Sequence, residues 1–234
     1  MGRVVPNDVD AAITGRRAVR AFLQDPVPLA LIQHILAVAS RAPSGGNLQP
    51  WKVHVITGGP KARLERTLAA ALATPGYRGK PAYPYYPDRW FEPYDSRRRD
   101  IARRLYAALG IGRRDVIAMR RAEARNLEFF GAPVGLFFCT DRRLEAGSWL
   151  DMGMFVGNVM TAARGHGLDT CPQASFISHH DIVARHLGLA EEEIMLCGMA
   201  LGYRDPDRPE NAFESPRAPP SDFVTVHAGY GDAE

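Results

Sequence analysis

Apolar residues recur at helical spacing at Leu29, Ile32, Ile35, Leu36 and Ala39, and Pro28 suits a first helical turn, so a helix is predicted up to Ala39. Just downstream, Trp51-Lys-Val-His-Val-Ile-Thr57 alternates as a half-buried strand does. An earlier, shorter helical pattern (Val9, Ala12, Ile13) lies between Asn7 or Asp8 as its cap and Gly15 as its stop. Further along, the pattern predicts a helix around Lys61 to Leu72 and helical character from Ser96 to Phe130, broken near Gly110 and Gly112. A buried strand at Val134 to Thr140 comes next, then a mostly apolar helix from Asp151 to Gly165 whose Gly153, Gly157 and Ala162 allow close packing. Ile182, Val183, His186 and Leu187 mark one more helix, and Ile194 to Tyr203 reads as the last core strand. The stretch from Tyr77 to Tyr94 is different: prolines at 81, 84, 87 and 93 disfavour regular helix among its many aromatic rings. Regular βαβ alternation is missing, which favours α+β.

Composition narrows the function classes. At 234 residues the chain fits one α/β or α+β domain, and residues 1–234 are expected to form it. A net charge of +3 lacks the concentrated basic field of a nucleic-acid binder. Arginines do cluster between Arg97 and Arg125, but Asp100, Asp115 and Glu123 interrupt them, a pattern that suits exposed helix faces better than a groove for phosphates. The three cysteines, Cys139, Cys171 and Cys197, form neither a disulfide framework nor a metal-ligand spacing, so no metal is expected. Cys139 and Cys197 sit in apolar runs as small core residues, and Cys171 has no neighbouring His and acid to make it a nucleophile. No signal-peptide core or membrane-length apolar run is present, Pro6 stands where a myristoylation signal wants Ser or Thr, and the default compartment is the cytoplasm.

Two segments carry candidate chemistry. Ser40 to Trp51 (SRAPSGGNLQPW) combines glycines that let backbone approach a flat ligand with the uncharged hydrogen-bonding groups of Ser44, Asn47 and Gln49. Alone it reads equally well as a helix-to-strand connector. In Thr14 to Phe22 (TGRRAVRAF), extended backbone would place Arg16, Ala18 and Arg20 on one side, and convergent guanidinium groups suit a phosphate monoester. An isolated Arg-Arg pair is otherwise solvated surface.

Taken together, RRAVRAF and ASRAPSGGNLQPW resemble the nitroreductase family of FMN-dependent NAD(P)H oxidoreductases, nitrobenzoate-reductase-like in pattern, whose motifs read R-R-S-x-R and P-S-x-x-N-x-Q-P-W. Gly167 to Ser175 (GLDTCPQAS) resembles the family loop beside the flavin ring, and Gly198 to Pro206 with Ser215 to Pro220 is similar to its closing strand and late arginine. Order and spacing match over roughly residues 8 to 227. The resemblance implies a mostly antiparallel central sheet flanked by helices and an intertwined homodimer, with residues 211–234 docking on the partner subunit.

It also implies roles. Arg16, Arg20 and Arg217 would hold the FMN phosphate, and Arg17 would contribute through its backbone or toward the ribityl chain. Ala18 stands where the family has Ser, which removes one hydroxyl contact. Pro43, Ser44 and Gly45 would line the ring edge from the other subunit, with Asn47 and Gln49 anchoring the loop or the flavin. Pro172, Gln173, Ala174 and Ser175 would present backbone groups to flavin N5 and O4, a segment that alone would read as a plain turn. Gly46, Tyr83, Tyr85, Tyr86, Trp90 and Phe91 are the candidates to border substrate, since such rings stack on planar acceptors. His179 and His180 are assigned to capping or surface rather than proton donation, and Gly157 departs from a Gln common in similar helices. With no glycine-rich dinucleotide fingerprint, NAD(P)H and acceptor are expected to use one place in turn, a ping-pong scheme in which flavin N5 carries hydride and no side chain is catalytic. The acceptors implied are nitroaromatics, quinones or similar electron-poor compounds. Dehalogenation, ring dehydrogenation, flavin breakdown and non-catalytic flavin binding are the alternatives.

Overall fold

The computed structural model describes residues 5–227, so the first residues of the N-terminal reading, 1–4, and the end of the tail, 228–234, lie outside the described residues. Strands β1 (Lys52–Thr57), β2 (Val134–Asp141), β3 (Asp169–Gln173) and β4 (Glu193–Gly202) form one antiparallel sheet in the order β1-β2-β4-β3. The helices are α1 (Asp8–Gly15), α2 (Leu29–Ala39), α3 (Gly58–Ala73), α4 (Tyr94–Ala108), α5 (Val116–Ala124), α6 (Ala146–Gly165) and α7 (His180–Leu187). The α+β class read from the sequence is the observed one.

Helices on both faces explain why β2 is one continuous apolar run: its residues alternate between two cores. Phe137 and Cys139 join Leu64 and Leu68 of α3, Val183 of α7, Phe129 and Phe176 on one side. Leu136 and Phe138 join Ile32 and Ile35 of α2 and Met152, Phe155 and Val159 of α6 on the other. Gly198 in β4 has a packing reason, because a Cβ there would lie 2.5 Å from the Phe176 ring. The sheet has one irregularity at its centre. Between β2 and β4 the register passes from Phe138↔Cys197 to Cys139↔Met195, so Leu196 is the extra residue of a bulge. Its carbonyl accepts a 2.5 Å hydrogen bond from the Tyr83 hydroxyl, which ties the irregular aromatic stretch to the middle of the sheet.

Local signals account for the helix ends. Val9 and Asp10 N–H donate to Asn7 Oδ1, and Asn7 N–H donates to the Asp10 carboxylate, so Asn7 caps α1 reciprocally. The helical reading of Ser96 to Phe130 divides. α4 stops before Gly110, at φ +68°, and α5 runs into a tight 3₁₀ coil, Arg125–Gly131, in which Phe129 and Phe130 take left-handed φ and bury both rings. α6 begins at Ala146, five residues before the start expected at Asp151, since Gly147 and the exposed Trp149 and Leu150 blur the apolar stripe of its first turns. Gly167 to Ser175 is more than a loop: Asp169–Gln173 pairs with β4 as an edge strand, a place where the missing N–H of Pro172 is tolerated.

The arginine segment extends that edge. Val19 N–H donates to Thr170 O at 3.1 Å, Ala18 pairs with Thr170, and Phe22 pairs with Arg204. Asn211 clamps it. The Asn211 Oδ1 accepts from Arg20 N–H at 2.8 Å, and its Nδ2 donates to Ala21 O and Asp205 O, both at 2.9 Å. Beside it Glu210 is buried; burial alone would raise its carboxyl, but hydrogen bonds from Arg125 and Arg208 hold it below the usual range. The first residue of the 211–234 segment is thus seated in its own protomer. Asn211→Ala is expected to lower stability by about 2–4 kcal/mol, because it leaves buried backbone groups without partners. Chemical denaturation followed by tryptophan fluorescence measures this, and a loss below about 1 kcal/mol would remove Asn211 from that role.

Candidate functional site

A cavity of about 1040 Å³ opens where the end of β3 meets α6 and the aromatic stretch. Its floor is Pro172, Gln173, Ala174 and Ser175. One wall is Tyr83, Tyr85 and Tyr86; an adjoining wall is a single face of α6 formed by Trp149, Met152, Gly153 and Val156, which helical spacing brings together. Tyr83 and Trp149 pack edge-to-face with centroids 4.6 Å apart, and Tyr85 and Tyr86 do so at 4.7 Å. Trp149 was missed by the sequence reading. It precedes the expected start of α6, and only a start at Ala146 would have put it one turn from Met152 and Gly153.

The floor carries polar atoms in need of partners. Gln173 Nε2 donates to Asn126 O at 2.5 Å, but Gln173 Oε1 and Ser175 Oγ are buried with no hydrogen-bond partner among the described residues. Such orphans are costly in a folded protein. Burial pushes the Tyr83 hydroxyl far up and raises Tyr85 as well, so both rings present neutral phenols at pH 7. Glu123, which accepts from Tyr106 Oη at 3.0 Å, is the one charged lining side chain among the described residues.

Beyond the floor lies positive potential. Burial pushes the Cys171 thiol up to about 11, while the fields of Arg20 and Arg16 pull it the other way, so both guanidinium groups act on the residue next to Pro172. That thiol stays protonated at neutral pH. Arg20 also borders a small depression with Glu123 and Asn126, which belong to the cavity wall, and its Nη1 donates to Ala18 O at 3.2 Å. Arg17 faces away: it pairs with Glu214 and acts on Asp169, a carboxyl that burial raises despite Arg164, Arg204 and Arg17.

Other candidates lie elsewhere in the protomer. Arg217 is turned onto the carbonyls of Ser215 and Pro216 and borders a surface depression with Ser96, Arg97 and Asp100, so it is not gathered with Arg16 and Arg20. The loop from Pro43 to Gln49 does not line the cavity of its own chain. It is held against α6 by Gly45 N–H donating to Asp151 at 3.2 Å, and internally by Gln49 N–H donating to Ser44 Oγ at 3.0 Å. Gly46, Asn47 and Gln49 have φ of 56°, 57° and 48°. For Asn47 and Gln49 this left-handed backbone costs roughly 1 kcal/mol each, the sort of strain that clusters at ligand clamps. Trp90 packs at a tilt on Tyr86, centroids 5.1 Å apart, beneath the Arg98 guanidinium, and Phe91 is exposed against Tyr94; neither lines the cavity. His179 stands at the start of α7 without capping it, because its Nδ1 is 2.9 Å from the Tyr77 hydroxyl and its ring stacks on Tyr77. Burial pushes both His179 and His180 down, toward the neutral form. Among the described residues no group of His, Cys, Asp or Glu is placed to hold a metal ion, and no helix is long and apolar enough to cross a membrane.

Known proteins share this arrangement. The family model described as "Nitroreductase family" matches residues 13–203. The chain is 39% identical over 220 residues to a nitrobenzene nitroreductase of Ectopseudomonas oleovorans, covering 94% of this chain and 97% of that protein. It is 38% identical over 214 residues to a 4-nitrobenzoate reductase of Pseudomonas putida, covering 92% and 93%. Among solved structures, the FMN-dependent nitroreductase NfnB from Mycobacterium smegmatis in complex with NADPH superposes with a TM-score of 0.89 at 34% identity, covering 94% of this chain and 98% of the other. An aromatic cavity floored by the Pro172–Ser175 segment, on a fold matched over nearly its whole length, agrees with these likenesses, and the chain belongs to the nitroreductase family.

Proposed function

We propose that this chain is an FMN-dependent oxidoreductase that passes electrons from NAD(P)H to neutral nitroaromatics, quinones or similar electron-poor acceptors, as a homodimer in the cytoplasm. The observation that carries the reading is the pair of orphaned polar atoms, Gln173 Oε1 and Ser175 Oγ, beneath an aromatic cavity whose Glu123 and Asn126 also border a depression lined by Arg20. FMN, when bound, supplies a two-electron carrier at its N5. Gln173 and Ser175 would meet the polar edge of its ring, and Arg16 and Arg20 would neutralise its phosphate, with Arg217 reaching that phosphate in the assembled dimer. The exposed loop from Pro43 to Gln49 and the tail beyond Ala212 would complete the site of the partner subunit. Exposed apolar residues Leu48, Leu150 and Phe223 are compatible with such burial.

Within the cavity the side chains bind and orient; none need exchange a proton. Trp149 and the tyrosines offer aromatic faces and neutral hydroxyls to a planar acceptor. Donor and acceptor would occupy this one place in turn, giving ping-pong kinetics, since the described residues offer no second aromatic cavity for nicotinamide. A carboxylated acceptor finds no cation on the lining, only Glu123.

Flavin binding is tested by fluorescence titration. Arg16→Ala and Arg217→Ala should each weaken FMN binding by roughly ten-fold or more, the size of a lost charge-assisted hydrogen bond. Unchanged affinity in either variant would take that arginine out of the phosphate site. Acceptor choice is read anaerobically. The kcat/KM for nitrobenzene should exceed that for 4-nitrobenzoate by about three- to ten-fold, a modest ratio because Glu123 acts through solvent, and Glu123→Gln should narrow it. A wild-type enzyme preferring the carboxylate would overturn the neutral-acceptor assignment.

A further inference from the structure

Glycine inside a helix costs conformational entropy that alanine does not, so its place there needs a reason. Gly198 of β4 has one in packing, against the Phe176 ring. Gly153, in the middle of α6, has none of that kind: its backbone is helical, and a Cβ there would meet no atom within 4 Å among the described residues. What it adjoins is the aromatic cavity. Gly153 lines that cavity between Trp149, one turn earlier, and Val156, almost one turn later. The glycine therefore leaves a notch in the α6 wall, one side chain wide, where a flat ligand can reach the helix backbone. Gly157, one turn further on, is equally open but does not line the cavity.

One end of the notch is closed. The Trp149 indole packs edge-to-face on Tyr83, and the Tyr83 hydroxyl donates to the Leu196 carbonyl, so the ring at that end is braced against the sheet. We propose that Gly153 and Trp149 are the specificity-determining pair of the acceptor site: the notch at Gly153 gives a planar acceptor its room, Trp149 limits its length, and single-ring acceptors are thereby preferred over fused two-ring ones. The proposal rests on the acceptor role assigned to this cavity above. A single ring can slide along the wall away from an added methyl group, whereas a two-ring system stopped at Trp149 lies across Gly153. Filling the notch and removing the stop must then move the size preference in contrary directions.

The test uses the FMN-loaded full chain, with nitrobenzene and 1-nitronaphthalene as one- and two-ring probes. The wild type should favour nitrobenzene in kcat/KM. Gly153→Ala should lower kcat/KM for 1-nitronaphthalene by about ten-fold, chiefly through KM, and that for nitrobenzene by less, the size of effect one methyl group has in a shaped pocket. Its FMN affinity should be unchanged and its thermal midpoint no lower than the wild type's, since alanine favours helix. Trp149→Ala should raise the ratio of 1-nitronaphthalene to nitrobenzene kcat/KM by about ten-fold. Gly157→Ala, the same change one turn along α6 and off the cavity, should leave that ratio as it is. Calorimetric titration with the redox-inert pair phenol and 2-naphthol reads the same preference without turnover. Contrary shifts of the naphthol-to-phenol affinity ratio in Gly153→Ala and Trp149→Ala support the pair even if no acceptor is reduced, an outcome that would instead count against the proposed function. A wild type that favours the two-ring probes, a ratio that moves the same way in both variants or in neither, an equal shift in Gly157→Ala, or a loss of FMN affinity in Gly153→Ala would overturn it.

Discussion

The pairing of β2 with β4, and the one-residue bulge at Leu196 within it, is the constraint on which the rest of this molecule depends. On the two central strands, alternation sends Phe137 and Cys139 into one core and Leu136 and Phe138 into the other, so helices are needed on both faces. A one-residue slip would exchange those faces. The bulge interrupts the ladder and leaves the Leu196 carbonyl to the Tyr83 hydroxyl. Together with the Ala82 N–H, which donates to Ile177 O at 3.3 Å, that bond ties a proline-broken segment to the sheet and to the coil that follows β3. Tyr83 then packs on Trp149, and with Tyr85 and Tyr86 they bound a cavity.

A second constraint sets the charge of the site. Arg16 and Arg20 are both half-buried on a segment that runs along Thr170, and Asn211, far along the chain, satisfies the backbone of Arg20 and Ala21. Arg17, on the other side, is used up by Glu214 and Asp169. Placing two cations beside a buried thiol and an apolar cavity is unfavourable by itself.

The arginines of α4 show the contrast between charge that is merely solvated and charge that is organised. Their i,i+3 and i,i+4 pairing with Asp95 and Asp100 is what an exposed helix face displays, and such pairs contribute little to stability. Arg113 lies outside that pairing, on the turn that brings α5 back against α4. Turn geometry thereby converts an ordinary basic helix into one side of a cleft.

Much of this was legible in residue order. Periodicity located α2, α3, β1, β2 and β4, since long apolar runs and strict alternation leave the chain few ways to bury them, and the four motifs pointed to the family before any contact was known. Local chemistry located the Asn7 cap and the break before Gly110. The early start of α6 was hidden because its first turn lies on the surface and buries little, and with it Trp149 was hidden as a wall of the cavity. β3 was hidden because an edge strand containing proline has almost no pattern of its own; it exists through β4. The Leu196 bulge and the Asn211 clamp depend on pairings across many tens of residues, whereas Trp90, Phe91 and Arg217 leave the cavity for near neighbours, Tyr86, Tyr94 and the Ser215 and Pro216 carbonyls. Periodicity reports which face of an element seeks burial, whereas register and long-range hydrogen bonds, which only the folded chain decides, determine what that face meets.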